Sequence, residues 1–323
     1  MAWLTYLKRV GLARGVLLAL ALVPLTGIPA YQFYVLERGL QNLLVVLSLV
    51  ILLGYAGQLS LGQAGLVAVG AYTYGILCVN YELSPWFGLV AAPVATGLIG
   101  LLLGFPSFKL KGPFLVVNTI AFSEIVRIVI LNNEKITGGP FGLNRIPTIA
   151  GGLFLYYFML VVAFLAAMAT LRLSRSHIGL AFKAIREDEV AAEAMGVHVR
   201  NYKLLAFVIS SVLAGLSGVF FANMAGYLNP DSFTINESST YVLMVVLGGM
   251  DSVAGGIVSS LAVTSLPEAL RFMARSRMVV YSLILLLVLR YSRLLNIANL
   301  KRTLRRRRPL TYAATGGQDQ VNP

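Results

Sequence analysis

The sequence predicts an all-α polytopic membrane protein, on three observations. Hydrophobic residues fill 58% of the 323 positions and charged residues only 12%, too few to clothe a water-facing surface. The apolar residues gather in runs at 15–36, 39–56, 61–80, 84–105, 112–132, 151–171, 204–226, 240–250, 254–270 and 278–291. Most are long enough for a spanning helix and two are short, so about eight to ten membrane helices are expected. Glycine clusters interrupt two of the runs, which predicts broken or re-entrant segments among the spans.

In chain order, Lys8, Arg9 and Arg14 precede the first run. That run is longer than a signal-peptide core and has no clean small-x-small cleavage site, so it reads as a retained anchor. Residues 1–14 form an N-terminal segment, 15–171 one transmembrane half, 172–203 a charged loop, 204–292 a second half and 293–323 a basic tail expected to be disordered at its end. Alternation from an inside start puts on one side three Lys/Arg before residue 15, two at 109–111, six in 172–203 and eight from Arg290 onward, 19 of the 26. Basic residues favour the cytoplasmic side. Both termini and the 172–203 loop are therefore expected in the cytoplasm, with 133–150 and 227–239 on the opposite face.

The first interruption runs Gly54-Tyr-Ala-Gly57-Gln-Leu-Ser60-Leu-Gly62-Gln-Ala-Gly65, and the second Leu247-Gly248-Gly249-Met-Asp251-Ser-Val-Ala-Gly255-Gly256. Irregular backbone at membrane depth stands only against protein or a water-filled cavity, so Gly57, Ser60, Gly62, Gly65, Gly248, Gly249 and Asp251 are pathway candidates. Plain helix packing accounts for the first cluster equally well, because Ser60, Ala64 and Ala68 make a stripe of small residues. Glu124 and Arg127 lie three apart in the 112–132 run, where an ion pair is either functional or structural.

Within the charged loop, Asp188 is a good N-cap, Glu189 suits the first turn, and Gly196 follows Met195 as a stop. A helix over Glu189–Met195 is the expectation. It rises about 10 Å, too short to span a bilayer, and Ala191, Ala192 and Ala194 keep its surface small. It reads either as a knob for another protein or as a connector lying on lipid headgroups.

Several classes fall away. The net charge of +13 resides in tracts beside apolar runs, which membrane orientation explains without nucleic acid. Cys78 is the only cysteine, so a disulfide within the chain and a Cys-based metal site are excluded. His177 and His198 are too isolated to suggest a metal. No nucleophile–base constellation and no phosphate-binding Gly-x-x-x-x-Gly-Lys-Ser/Thr loop is present, so no cofactor is expected and any ATP must be bound by another chain.

These stretches resemble a known family, the membrane permease subunits of ABC importers for branched-chain amino acids, in particular the LivM-like branch. The resemblance covers roughly residues 40 to 292. It rests on the Gly54–Gly65 stretch with Gly70-Ala-Tyr72, Lys111-Gly-Pro-Phe114, Thr137-Gly-Gly-Pro-Phe-Gly-Leu143 with Ile146-Pro147, and Ser176-His-Ile-Gly179. Ala184 through Gly196, Tyr202-Lys203, Ala214-Gly-Leu-Ser-Gly218 and Leu247-Gly-Gly249 continue it. It implies an ABC importer permease fold in the bacterial cytoplasmic membrane, pairing with a second related permease and two ABC ATPase subunits and receiving solute from a periplasmic solute-binding protein. The solute would be a branched-chain amino acid, or urea, an amide or an aromatic acid.

The resemblance also makes 172–203 the loop that meets the ATPase, with Asp188, Glu189, Ala191, Ala192, Glu193 and Gly196 as coupling residues. The importer pattern Glu-Ala-Ala-xxx-Gly is met here with its acid, Glu189, one place early. The chain also has Arg290-Tyr-Ser-Arg-Leu-Leu where relatives often have Arg-Pro-Gln-Gly-Leu. The Arg305–Arg308 cluster is read as fixing orientation. The rival is a secondary transporter coupled to an ion gradient, for which Glu124 with Arg127 is the candidate ion site. A membrane enzyme is disfavoured for want of an acid, base or metal cluster.

Overall fold

A computed structural model describes residues 30–107, 112–149 and 151–269. Helices follow one another as α1 (Ala30–Leu49), α2 (Gln63–Val79), α3 (Pro85–Ser107), α4 (Pro113–Asn132), α5 (Glu134–Thr137) and α6 (Gly152–Leu173). After them come α7 (His177–Glu187), α8 (Glu189–Ala194), α9 (Val199–Ala225), α10 (Ile235–Gly248) and α11 (Val253–Ala269). Among the described residues the only β-type pairing is an isolated bridge between Leu143 and Leu228.

The protein is a multi-pass membrane protein. Five helices among the described residues are long and apolar enough to cross a bilayer: α1 with its extension to Tyr55, α3, α4, α6 and α9. The apolar runs at 61–80, 240–250 and 254–270 form α2, α10 and α11, of 17, 14 and 17 residues. α10 falls short of a span and the other two stand at its lower limit, so the described residues hold five clear spans and do not confirm the expected eight to ten. The 278–291 run, the basic tail, Lys109 and Lys111 lie outside the described residues, as does the expected anchor up to residue 29.

The core follows from composition. α1 is apolar around nearly its whole circumference from Leu40 to Leu52, and all of those residues are buried. A helix apolar on every face belongs at a centre. α9, α11 and α6 pack around it, and α9 also meets α2 and α3. Polar side chains bind the centre together. Gln41 Nε2 donates to Ser217 Oγ at 2.7 Å, Asn42 Nδ2 to Thr264 Oγ1 at 2.9 Å, and Gln63 Nε2 to Ser210 Oγ at 3.1 Å. Such bonds across membrane helices contribute about 0.6 kcal/mol each on average.

Two boundaries differ from the sequence reading, each for a tertiary reason. Glu37 and Arg38, which separate the first two apolar runs, lie inside α1, where Arg38 sits 4.0 Å from Glu237 and 4.8 Å above the Phe221 ring. α9 begins at Val199, five residues before the apolar run, because Lys203 is buried against Glu189 and the Tyr202 ring meets Phe182 edge-on at 6.2 Å.

The bundle has two distinct ends. At one, Leu143 and Leu228 exchange backbone hydrogen bonds of 2.9 Å, Tyr74 Oη donates to the Pro147 carbonyl at 2.9 Å, and the Ile149 N–H donates to Asn223 Oδ1 at 2.8 Å. The 133–149 and 226–233 segments are thereby tied together. Helix α6, 22 residues long, carries the chain about 33 Å away to the other end, that of residues 174–198.

Candidate functional site

The loop end is built from three stretches far apart in sequence. In the first, Ser176 caps α7, its Oγ accepting from the Gly179 N–H at 3.2 Å, and the buried side chains of Ala181, Phe182 and Ile185 fix the inward stripe of that helix. Asp188 is extended, at φ −157° and ψ 114°, and its carboxylate accepts from Val190 N–H at 2.9 Å and Ala191 N–H at 3.1 Å. That satisfies two of the amide groups a helix start leaves open. Helix α8 then runs Glu189–Ala194, within one residue of the span the sequence predicts, and Gly196 leaves it at φ +85°.

The faces of α8 are unequal. Ala192 is buried, whereas Val190, Ala191, Glu193, Ala194 and Met195 are exposed, Val190 at 71% and Met195 at 84%. Of its two acids, Glu189 is held inward by Lys203 Nζ, and Glu193 is the one that projects. A short helix displaying small and apolar side chains around one carboxylate is suited to docking against another protein.

The second stretch is the first glycine break. Past α1 the chain widens into a π-helical turn, Val50–Tyr55, then leaves helix until Gln63, with Gly57 at φ +70°. The third is the second break, where α10 ends at Gly248, Gly249 turns at φ +91°, and α11 starts at Val253. The two breaks touch: a Cβ on Gly54 would stand 1.9 Å from the Met250 carbonyl oxygen.

Arg186 of α7 joins all three. Its Nη1 donates to the Gly54 carbonyl and lies 3.8 Å from Asp251 Oδ1, and a Cβ on Gly57 would come 2.7 Å from Arg186 Cγ. One turn back, Lys183 Nζ donates to the Ser174 carbonyl at 2.7 Å and sits 5.5 Å from the Tyr55 ring centre. A cleft of about 220 Å³ opens between Tyr55, Leu171, Ser174, Lys183, Asp251 and Ser252.

The sequence singled out Gly57 and Asp251, each of which lies against Arg186 here, but neither Arg186 nor Lys183. The available signal was the Ser176 cap followed by Ala181, Phe182 and Ile185 at helical spacing, which places Lys183 and Arg186 together on another face.

The other pathway candidates lie elsewhere. Ser60, Ala64 and Ala68 are buried. Gly62 and Gly65 face α4, where added Cβ atoms would come 2.6 Å from the Thr119 carbonyl oxygen and 2.7 Å from Ser123 Cα. The open amides of this break are satisfied by Thr119 Oγ1 at Leu61, Ser60 Oγ at Gly62 and Ser238 Oγ at Ala64. Gly248 packs on Gly255, to which its Cβ would come within 2.6 Å. Glu124 and Arg127 pair at 3.0 Å on α4, joined by Asp231 at 2.7 Å. Among the described residues no group of three or more His, Cys, Asp or Glu is placed to hold a metal ion.

The family of branched-chain amino acid transport system permease components matches residues 32–289. The chain is 38% identical over 255 residues to the high-affinity branched-chain amino acid transport system permease protein LivM of Escherichia coli (strain K12), covering 70% of this chain and 60% of that one. It thus spans about three-fifths of the length of that relative. It is 26% identical over 246 residues to a probable branched-chain amino acid transport permease protein LivM of Methanocaldococcus jannaschii, covering 64% of this chain and 71% of that one. To the autoinducer 2 import system permease protein LsrC of Salmonella typhi it is 26% identical over 260 residues, covering 75% of this chain and 74% of that one. No solved structure matches. Residues 32–289 take in every complete helix from α2 to α11, so the chain belongs to the family of branched-chain amino acid transport system permease components.

Proposed function

We propose that the chain is the permease subunit of an ATP-driven importer that moves branched-chain amino acids, or a similar small polar solute, across the bacterial cytoplasmic membrane. It pairs with a second permease, docks on two ATPase subunits and takes solute from a periplasmic binding protein. The observation that carries this reading is the Asp188-capped α8, whose exposed Val190, Ala191 and Met195 offer a docking face. Behind that face, Arg186 connects the loop to both helix breaks. The loop of 172–203 is then the coupling loop, and ATP-driven movement of α7 and α8 reaches α1, α10 and α11 through Arg186.

Ala191→Trp tests the docking face. Relative to Asn144→Trp, at the opposite end and also exposed, it should cut ATPase co-purification or solute-stimulated hydrolysis by about tenfold at equal membrane abundance, the effect of losing an interface hot spot. Wild-type values for both would remove α8 from the interface.

Sidedness has its own test. In a Cys78→Ser background, His177→Cys and Asn144→Cys should react with an impermeant maleimide from opposite sides of the membrane, the first from the cytoplasm. Reaction of both from one side contradicts the assignment.

A further inference from the structure

The cleft at the loop end is lined by a cation and an anion that do not pair with each other. Lys183 is half-buried, and among the described residues it has no carboxylate partner. Its ammonium donates to the Ser174 carbonyl at 2.7 Å and lies 5.5 Å from the Tyr55 ring centre, which leaves two of its three donors over. Asp251, 63% exposed, is met among the described residues only by Arg186, at 3.8 Å on Oδ1, so its other oxygen is open. Charges withdrawn from water are ordinarily paired. Here two opposite ones border the same cavity without a full partner each.

Size and lining narrow the ligand. The cleft holds about 220 Å³, room for about seven waters at ~30 Å³ each and below the ~300–1,000 Å³ of sites for drug-sized ligands. A nucleotide is therefore too large. A small inorganic anion would suit Lys183 but meet Asp251, and a simple cation would face the reverse. A zwitterion answers both charges, and the remaining wall of Leu171, Val253 and Ala254 is apolar.

We infer that the cleft binds one small apolar α-amino acid, its carboxylate on Lys183, its ammonium on Asp251 and its side chain against Leu171, Val253 and Ala254. The inference rests on the importer reading for the side of the membrane, the cytoplasmic one, and for the source of the ligand, solute already imported. Leu171 ends α6, Lys183 belongs to α7, and Asp251 lies in the turn between α10 and α11. A bound amino acid ties these elements together across the joint that Arg186 bridges. It favours the arrangement it binds best, and accumulated solute thereby slows its own import.

The experiment uses the whole complex with its ATPase subunits and leucine as the probe. In a Cys78→Ser background, the thiol of Ser174→Cys should be alkylated several-fold more slowly when leucine is present. Isocaproate, which lacks the ammonium, and isoamylamine, which lacks the carboxylate, should each protect with about tenfold lower affinity, the effect of losing one hydrogen bond to a charged group. Adding Lys183→Met should weaken protection by leucine to the same extent, with Lys183→Arg closer to the parent. In proteoliposomes loaded with ATP, enclosed leucine should slow the initial rate of uptake, and Lys183→Met should relieve that inhibition.

Equal protection by isocaproate and leucine overturns the inference, as does protection that Lys183→Met leaves unchanged. A Ser174→Cys thiol shielded in the complex with or without leucine also overturns it, because the ATPase subunits then fill the cleft. The analogues need no substitution at Lys183, so they decide the matter even where Lys183→Met lowers the yield of the complex. If leucine is imported yet gives no protection, only the cleft assignment fails. If the reconstituted complex imports no solute, the importer reading fails, and alkylation, which needs no transport, still decides the cleft.

Discussion

Gly54→Ala should reduce transport at least tenfold at matched membrane abundance and lower the thermal stability of the purified protein. The added methyl would stand 1.9 Å from the Met250 carbonyl oxygen and 2.8 Å from its carbon. Both are backbone atoms, so no rotamer change makes room, and either the π-helical turn or the α10–α11 turn must move. Overpacking of this kind costs about 1–3 kcal/mol, occasionally more, and here it also shifts the carbonyl that receives Arg186. Gly152→Ala, at the first position of α6, is the control, because nothing lies within 4 Å of its Cβ position. Equal transport and equal melting temperature for the two variants would show that the breaks do not depend on this close approach.

Features of the loop end that are local in sequence were legible in it. The Asp188 cap and Gly196 stop need only neighbouring residues, and α8 lies where they put it. Both glycine breaks were legible for the same reason. What sequence could not supply was the meeting of the breaks with Arg186, because Gly54 is 132 residues away from it and no spacing rule links them. Lys203 read as a loop charge on composition, yet it is 5% exposed, held by Glu189 from 14 residues back. The resemblance implied Asp188, Glu189 and Glu193 as coupling acids, with Glu189 as the acid of the importer pattern. Pairing with Lys203 leaves Glu189 only partly exposed, and Glu193 is the one facing outward. Ala192, singled out with Ala191 for a small docking surface, packs inward.

Arg186→Ala should separate hydrolysis from transport. Arg186 projects from α7, not from the exposed face of α8, so ATPase subunits should still co-purify and ATP should still be hydrolysed. Solute moved per ATP should nevertheless fall about tenfold. The magnitude follows from the two interactions that the guanidinium makes. A charged group's hydrogen bond to a carbonyl, here that of Gly54, contributes about 1.5–3 kcal/mol. The Asp251 interaction, at 3.8 Å with side chains 36% and 63% exposed, is an exposed pair worth about 0–1 kcal/mol. A loss near 2 kcal/mol changes a conformational equilibrium by more than tenfold, so the Gly54 bond dominates. Asp251→Asn should therefore reduce coupling by no more than about threefold, and Arg186→Lys should fall between, since it keeps the charge but loses the fork that reaches both partners. The assay is uptake and ATP hydrolysis measured together in proteoliposomes holding the full complex. Should Asp251→Asn prove as severe as Arg186→Ala, the ion pair would be the link in place of the backbone carbonyl. Unchanged uptake per ATP in Arg186→Ala would mean that movement of α8 reaches the membrane helices by another route, of which Lys203 at the start of α9, held to Glu189 of α8, is the next to test.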